Sequence, residues 1–109
     1  MRCYFTYIIT NPGKTVLYTG ITNDLAQRLT EHFLNRGDKK TFAGRYYCHF
    51  LLYFERFSQP MHAIEREKEI KSMTRKEKEA LINQGNPRWH SLNSMVMDWP
   101  PHPEATSRG

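Results

Sequence analysis

A glutamate interrupts the apolar face of a predicted helix, and it is the residue in the sequence whose chemistry fits its surroundings least. The segment 60–72 begins with a proline in its first turn, which is typical of a helix start. Ala63, Ile64 and Ile70 define the apolar face of this helix. Glu67 lies among them, whereas the other carboxylates of the helix project to its solvated side.

A carboxylate that faces a core is costly unless a cation or a metal ion compensates its charge. Two interpretations of Glu67 therefore stay open at this point. In the first it forms a structural ion pair, for which Arg28 is the natural partner, and spacing alone favours this because such pairs are common. In the second it binds a divalent metal at the edge of the core, since buried carboxylates often mark functional sites.

Two tyrosines occupy the middle of two predicted strands that form a hairpin. Segments 4–10 and 15–21 are aromatic and β-branched, and a turn with Asn, Pro and Gly separates them. Tyr7 and Tyr18 could lie close together in such a hairpin. The more common outcome is that both rings lie in the core and their hydroxyls reach solvent. Gly20 interrupts the second strand, which indicates either a bulge or a place where another backbone or a ligand comes close.

The remaining elements follow from periodicity and capping signals. A helix from Thr22 or Asn23 to Phe33 places Arg28 and His32 four residues apart on one side. A basic loop covers 35–45, and the apolar run 48–55 predicts a third strand that is buried on both faces. A capping box at Thr74 to Glu77 begins a last helix that Gly85 ends. The order β-β-α-β-α-α predicts an α+β fold, a small three-stranded, largely antiparallel sheet flanked by helices.

Composition bounds the classes of function. The 109 residues predict one globular domain over 1–95 with a flexible tail over 96–109, and the formal charge of +5 favours a polyanion, with nucleic acid first. Cys3 and Cys48 have no zinc-site spacing, and no apolar run is long enough for a membrane helix. The sequence starts without a signal-peptide core, so we expect a cytoplasmic protein and no membrane partner.

Several segments together resemble the GIY-YIG nuclease superfamily, and in particular its small single-domain members. Phe5-Thr6-Tyr7 stands at the place of the first signature triplet, and Tyr18-Thr19-Gly20 stands at the place of the second. The run 18–32 carries an arginine ten residues after the second tyrosine, and 63–71 is similar to the segment with the family's glutamate. Asn86-Pro87-Arg88-Trp89 is similar to the ending of small members, so the resemblance covers about residues 4–93. The ordered set is specific, although no single triplet is.

The resemblance implies a role for each matching residue. Glu67 would bind one divalent ion, Mg²⁺ or Mn²⁺, and Arg28 would contact the scissile phosphate. Tyr7 and Tyr18 would position or deprotonate the attacking water, and His32 would be a further catalytic residue. A tyrosine with an ordinary pKa near 10 is a poor base and needs a nearby cation.

Both triplets depart from the family's signature, and one role stays unassigned. The first triplet keeps only its tyrosine, and the second has Thr19 in the middle. Neither change removes a catalytic group. Some members use a later asparagine near the metal, and Asn83 and Asn86 both stay open for that role.

The predicted function is a divalent-metal-dependent DNA endonuclease, structure-specific in repair or recombination, with RNA open as a substrate. Gly20 would let the strand pass close to the substrate, and Lys39, Lys40 and Arg45 would follow its phosphate backbone. One alternative is a non-catalytic nucleic-acid-binding module that acts with a partner protein. Another is a protein-interaction domain that docks through Trp89 and Trp99, although these tryptophans fit the role of caps on the core better.

Overall fold

A three-stranded antiparallel sheet in the order β2-β1-β3 forms the centre of the molecule. In the computed structural model, which describes residues 3–101, the strands are β1 (Tyr4–Thr10), β2 (Leu17–Thr22) and β3 (Phe50–Phe57). The central strand β1 is buried over its last five residues, because it has a neighbour on each side and helices above and below. The predicted α+β class and antiparallel sheet are confirmed.

Within residues 3–101, five helices surround the sheet, two more than the sequence predicted. They are α1 (Leu25–Leu34), α2 (Phe42–Arg45), α3 (Pro60–Lys71), α4 (Arg75–Gly85) and α5 (Asn93–Val96). The two additional helices, α2 and α5, are single turns, which are too short to produce a periodic apolar pattern. None of the helices in residues 3–101 is long and apolar enough to cross a membrane.

Two of the predicted caps can be compared with the structure. The capping box of α4 is present as expected, with Thr74 and Glu77 each accepting a hydrogen bond from the other's backbone. The predicted cap of α1 is wrong, because Asp24 accepts from the backbone N–H of Gln27 at 3.0 Å. The hydroxyl oxygen of Thr22 instead accepts from the backbone of Asp24, which holds the turn before the helix.

Apolar side chains form a separate core on each face of the sheet. The first includes Tyr7, Ile9, Leu25, Leu29 and Leu51, and the second includes Ile8, Leu52, Ile70 and Ile82. The expectation that β3 is buried on both faces holds only near its start, at Leu51 and Leu52. β3 is an edge strand along its whole length, and the side chains that follow Leu52 are partly exposed.

The chain beyond residue 95, where a tail was predicted to begin, still packs on the domain. Val96, Met97 and Trp99 contact the first core. The ring of Trp99 meets the ring of Phe33 edge-on, with 5.1 Å between their centroids. The packed domain therefore extends at least to Trp99, and residues 102–109 of the predicted tail lie outside the described residues.

Three asparagine side chains hold the C-terminal segment through hydrogen bonds. The amide of Asn93 is fully buried and binds the backbone of Leu51 and of His49. Asn86 donates to the carbonyl oxygen of Leu52, and Asn83 accepts from the indole of Trp89. Both asparagines that the sequence left open for a metal role are thus engaged in structural contacts. Trp89 packs against the second core. This contact is the one expected of a cap on the core, and not of an exposed docking surface.

Candidate active site

Tyr7 lies at the centre of the candidate site because of the register between β1 and β2. It pairs across the sheet with Gly20, which has no side chain to occupy the space above the strand. The Tyr7 ring fills that space, and a Cβ at Gly20 would overlap its hydroxyl oxygen. The pairing of the two strands continues through Gly20 without a shift, so the bulge interpretation of this glycine is wrong. The close approach that the sequence indicated is made by a side chain of this protein.

The hydroxyl of Tyr7 is hydrogen-bonded to His32 on α1, with 2.8 Å between the oxygen and Nε2. Arg28, one turn earlier on α1, approaches the same oxygen with its Nε at 3.4 Å, which is a long contact. Since a guanidinium can only donate, the phenol oxygen accepts from Arg28, and the direction of its hydrogen bond with Nε2 is set by the tautomer of His32. Three residues from two elements therefore share one hydrogen-bonded network.

Burial sets the protonation states of this network. It lowers the pKa of His32 to about 4, and the positive charges of Arg28 and His49 add to the effect. Burial also raises the pKa of Tyr7 to about 12, although the hydrogen bond and charge of Arg28 oppose that rise. The cation that the sequence argument required beside the tyrosine is present, but desolvation outweighs it. Near neutral pH the pair consists of a neutral phenol and a neutral imidazole.

Tyr18 and His32 face a small cleft beside this network. Their rings are 5.6 Å apart between centroids, in an edge-on arrangement. The cleft has a volume of about 120 Å³, and its lining also includes Arg28 and Phe42. Tyr7 is completely buried beneath it. The side chains that a substrate would meet here are those of Tyr18, Arg28 and His32.

Arg28 separates this cleft from a wider groove on the other side of α1. The groove has a volume of about 360 Å³ and is lined largely by polar residues, including Asn23 and Gln27. The guanidinium forms an ion pair with Glu31 at 2.9 Å, and both side chains are about two-fifths exposed (40% and 42%). Arg28 is thus a cation accessible from solvent, at the place where the two depressions meet.

Glu67 does not form the ion pair with Arg28 that was one interpretation of its position. Its partner is Lys71 on the same helix, with 3.4 Å between Nζ and the carboxylate oxygen. The Glu67 side chain is only 17% exposed, and its negative charge contributes to the raised pKa of Tyr7. The carboxylate therefore lies within electrostatic reach of the network. No cluster of three or more metal-binding side chains occurs within residues 3–101.

A single carboxylate of this kind fits a magnesium site. Mg²⁺ in nucleotide and nucleic-acid enzymes is usually held by one or two carboxylates, by water and by the phosphates of the substrate. The carboxylate of Glu67 is held by one long contact to an exposed lysine, which leaves most of its acceptor capacity for such an ion.

The predicted substrate-binding residues outside the sheet lie in the segment between α1 and β3. Lys39, Lys40 and Arg45 are all exposed, and none of them takes part in the ion pairs found within residues 3–101. The same segment contributes Thr41, Phe42 and Ala43 to the cleft. Phe42 was missed by the sequence argument, although an aromatic residue in a basic loop is a usable signal of nucleic-acid contact.

Known protein families and structures are similar to this chain. Residues 3–80 match the model of the GIY-YIG catalytic domain. The UPF0213 protein of Natronomonas pharaonis is 38% identical over 72% of this chain and 89% of its own. The UPF0213 protein of Haloquadratum walsbyi is 39% identical over 75% of this chain and 89% of its own.

A solved structure is similar as well. The solution NMR structure of the UPF0213 protein of Bacillus halodurans matches with a TM-score of 0.52 and 25% identity, over 87% of this chain and 98% of that one. The chain therefore belongs to the GIY-YIG family, as its signature residues indicated. The GIY-YIG domain is a nuclease domain, which implies DNA as the class of substrate. The two relatives match over 89% of their own length and are small UPF0213 proteins, whose names state no activity.

Proposed function

We propose that this protein is a divalent-metal-dependent endonuclease that hydrolyses DNA phosphodiester bonds and acts on branched or interrupted DNA in repair or recombination. The observation that carries the proposal is the network of Tyr7, His32 and Arg28 beside a cleft. It combines a neutral proton acceptor with a fixed cation, and phosphodiester hydrolysis needs both.

In the proposed reaction Arg28 binds a non-bridging oxygen of the scissile phosphate. Its planar guanidinium matches two phosphate oxygens, and it is accessible from both depressions. Compensation of the developing negative charge by a preorganised donor is a large contribution to catalysis. Glu31 holds the guanidinium in place before the substrate arrives.

The attacking water is held by the hydroxyl of Tyr18 in the cleft and loses its proton to the imidazole of His32. In the tautomer whose Nε2–H donates to Tyr7, the lone pair of Nδ1 accepts this proton, while the water oxygen bonds to phosphorus and the bond from phosphorus to the leaving oxygen breaks. Tyr7 is fully buried and stays a neutral phenol, so we assign it a positioning role. Its oxygen accepts the hydrogen bond from Nε2 and so orients the His32 ring.

Glu67 would hold the divalent ion, which when bound would compensate charge on the phosphate and on the leaving oxygen. The carboxylate is mostly buried, lies within electrostatic reach of Tyr7 and has one long contact to Lys71. Removal of its charge should therefore abolish metal-dependent cleavage with little effect on the fold.

The test is cleavage of supercoiled plasmid and of branched DNA, with Mg²⁺, with Mn²⁺ or with EDTA. We expect nicking only with a metal ion, and its loss in the Glu67→Gln variant. Glu65→Gln is the matched control, because Glu65 lies on the same helix but is exposed to solvent. It should cut at the wild-type rate.

Two results would contradict the proposal. Cleavage by Glu67→Gln at the wild-type rate would remove Glu67 from the site. Binding of DNA without cleavage of any substrate would instead favour the non-catalytic module that acts with a partner protein.

A further inference from the structure

Two exposed aromatic rings continue outward from the cleft, and the proposed reaction does not use them. Phe42 is 49% exposed and Tyr46 is 42% exposed. Phe42 lies nearly parallel to Tyr18, with 6.1 Å between centroids and 25° between the ring planes. Tyr46 follows Phe42 with 4.9 Å between centroids. The three rings form a continuous row from the cleft to the surface.

The short helix α2 fixes the two outer rings. Phe42 and Tyr46 are four residues apart, so they project from the same side of this turn. Thr41 caps the turn through its hydroxyl oxygen, which accepts from Gly44 at 3.0 Å. A Cβ at Gly44 would lie 2.5 Å from the carbonyl oxygen of Asp38, so the turn packs tightly on the preceding loop. Both rings are therefore held in place while about half of each residue stays exposed.

The charge around the row fits a nucleic-acid strand. Lys39, Lys40 and Arg45 flank Phe42 in the sequence and are exposed. Singly exposed apolar residues need no explanation on a protein surface, but contiguous aromatic rings within a basic segment do. Aromatic platforms combined with basic side chains are the common means of binding unpaired bases.

We propose that Phe42, with Tyr46 beside it, is a stacking site for one unpaired base of the DNA strand whose phosphate lies at Arg28. This inference rests on the proposed function, because it takes the phosphate position from it. Phe42 and Arg28 line the same cleft, so a nucleotide next to the scissile phosphate reaches the ring. A paired base cannot offer its face, since its neighbours in the duplex cover it.

The substrate class that follows is DNA with an unpaired stretch next to the cut, and not continuous duplex. Base stacking on an aromatic residue is independent of sequence, because every base has a π-face. The row of rings therefore distinguishes unpaired from paired DNA. Any preference for a base sequence would come from other contacts.

The test measures binding in EDTA, so it does not depend on cleavage. Fluorescence anisotropy compares a gapped duplex with a fully paired duplex of equal length. Phe42→Leu keeps apolar volume and removes the π-face, and it should weaken binding to the gapped duplex by about tenfold. Binding to the paired duplex should stay the same. Phe57→Leu is the control, because Phe57 lies at the end of β3 outside the row.

A chemical double-mutant cycle locates the base. An abasic nucleotide in the unpaired stretch should weaken binding by the wild-type protein at one position only, and should cost nothing further in Phe42→Leu. Equal losses on both duplexes, no loss on either, or a wild-type dimer that Phe42→Leu dissociates would overturn the stacking site. Cleavage that depends on Glu67 but not on Phe42 would reject the stacking site and still support the proposed nuclease. Stacking without cleavage would reject the nuclease and still support the stacking site.

Discussion

The ring of Tyr7 occupies the space that a side chain on Gly20 would fill, on the neighbouring strand of the sheet. Tyr7 is completely buried and its hydroxyl is bound to His32, so it has little room to move. Gly20→Ala should therefore displace the Tyr7 hydroxyl from His32 and strongly reduce cleavage. The strain should cost roughly 1–3 kcal/mol of stability, measured by urea unfolding.

Gly13→Ala is the control for this change. A Cβ at Gly13 would meet its nearest atoms at 3.9 Å, which is ordinary contact. Cleavage and stability should both stay close to wild type. Full activity of Gly20→Ala would show that the Tyr7 position is not needed for the reaction.

Tyr7→Phe separates the positioning role from a merely structural one. The substitution keeps the ring and removes the oxygen that accepts from Nε2 of His32 in the proposed tautomer. An acceptor at Nε2 stabilises the imidazolium more than the neutral imidazole, so its loss should lower the pKa of His32 further. The acid limb of the pH–rate profile should then move to lower pH, in addition to a lower rate. A lower rate with an unchanged profile would indicate packing alone.

Arg28→Lys keeps the positive charge but loses the planar fork that binds two phosphate oxygens. Cleavage should fall by roughly a hundredfold in single-turnover assays, within the range found for one preorganised donor. Arg56→Lys on β3 is the matched control and should leave the rate unchanged, because Arg56 contacts Cys3 outside the site. A wild-type rate in Arg28→Lys would mean that a point charge is sufficient.

The sequence predicts the elements better than it predicts the contacts among them. Leu25, Leu29 and Phe33 recur at helical spacing, so α1 and its apolar face follow from local pattern. The contact of Tyr7 with His32 joins residues 25 positions apart and depends on the strand register and on the placement of α1. From spacing alone the tyrosines are therefore interpreted as ordinary core aromatics. The resemblance to the family is what points to them as candidate site residues.

One interpretation of Glu67 and the omission of Phe42 fail for different physical reasons. The ion pair that was one interpretation of Glu67 does not form with Arg28, because each has a partner on its own helix, Lys71 and Glu31. Phe42 was missed because it lies in a basic segment without periodicity. One helical turn is too short to show a periodic apolar pattern. Its cap, Thr41, was the local signal that a turn begins there.

Trp99 tests how far the packed domain extends. Its ring packs against Phe33 and stacks at 6.4 Å on the ring of His49. Trp99→Ala should cost roughly 2 kcal/mol, less than for a fully buried tryptophan, and should lower the Tm by several degrees. Met95→Ala should change little, because Met95 is 75% exposed. Equal melting temperatures for the two variants would place the domain boundary before Trp99.

His32 should make stability depend on pH in a defined window. Its pKa is lowered from 6.5 to about 4 in the folded protein, so the unfolded chain binds the proton more readily between these values. Stability is therefore complete above about pH 6.5 and falls as the pH is lowered towards 4, by up to roughly 3 kcal/mol. His32→Gln keeps a hydrogen-bonding group for Tyr7 but does not titrate, so its urea midpoint should fall less over the same range. Carboxylates titrate in both proteins, and the difference between the two curves isolates His32. Parallel curves from pH 7 to 4 would show that His32 titrates at its ordinary pKa in the folded state.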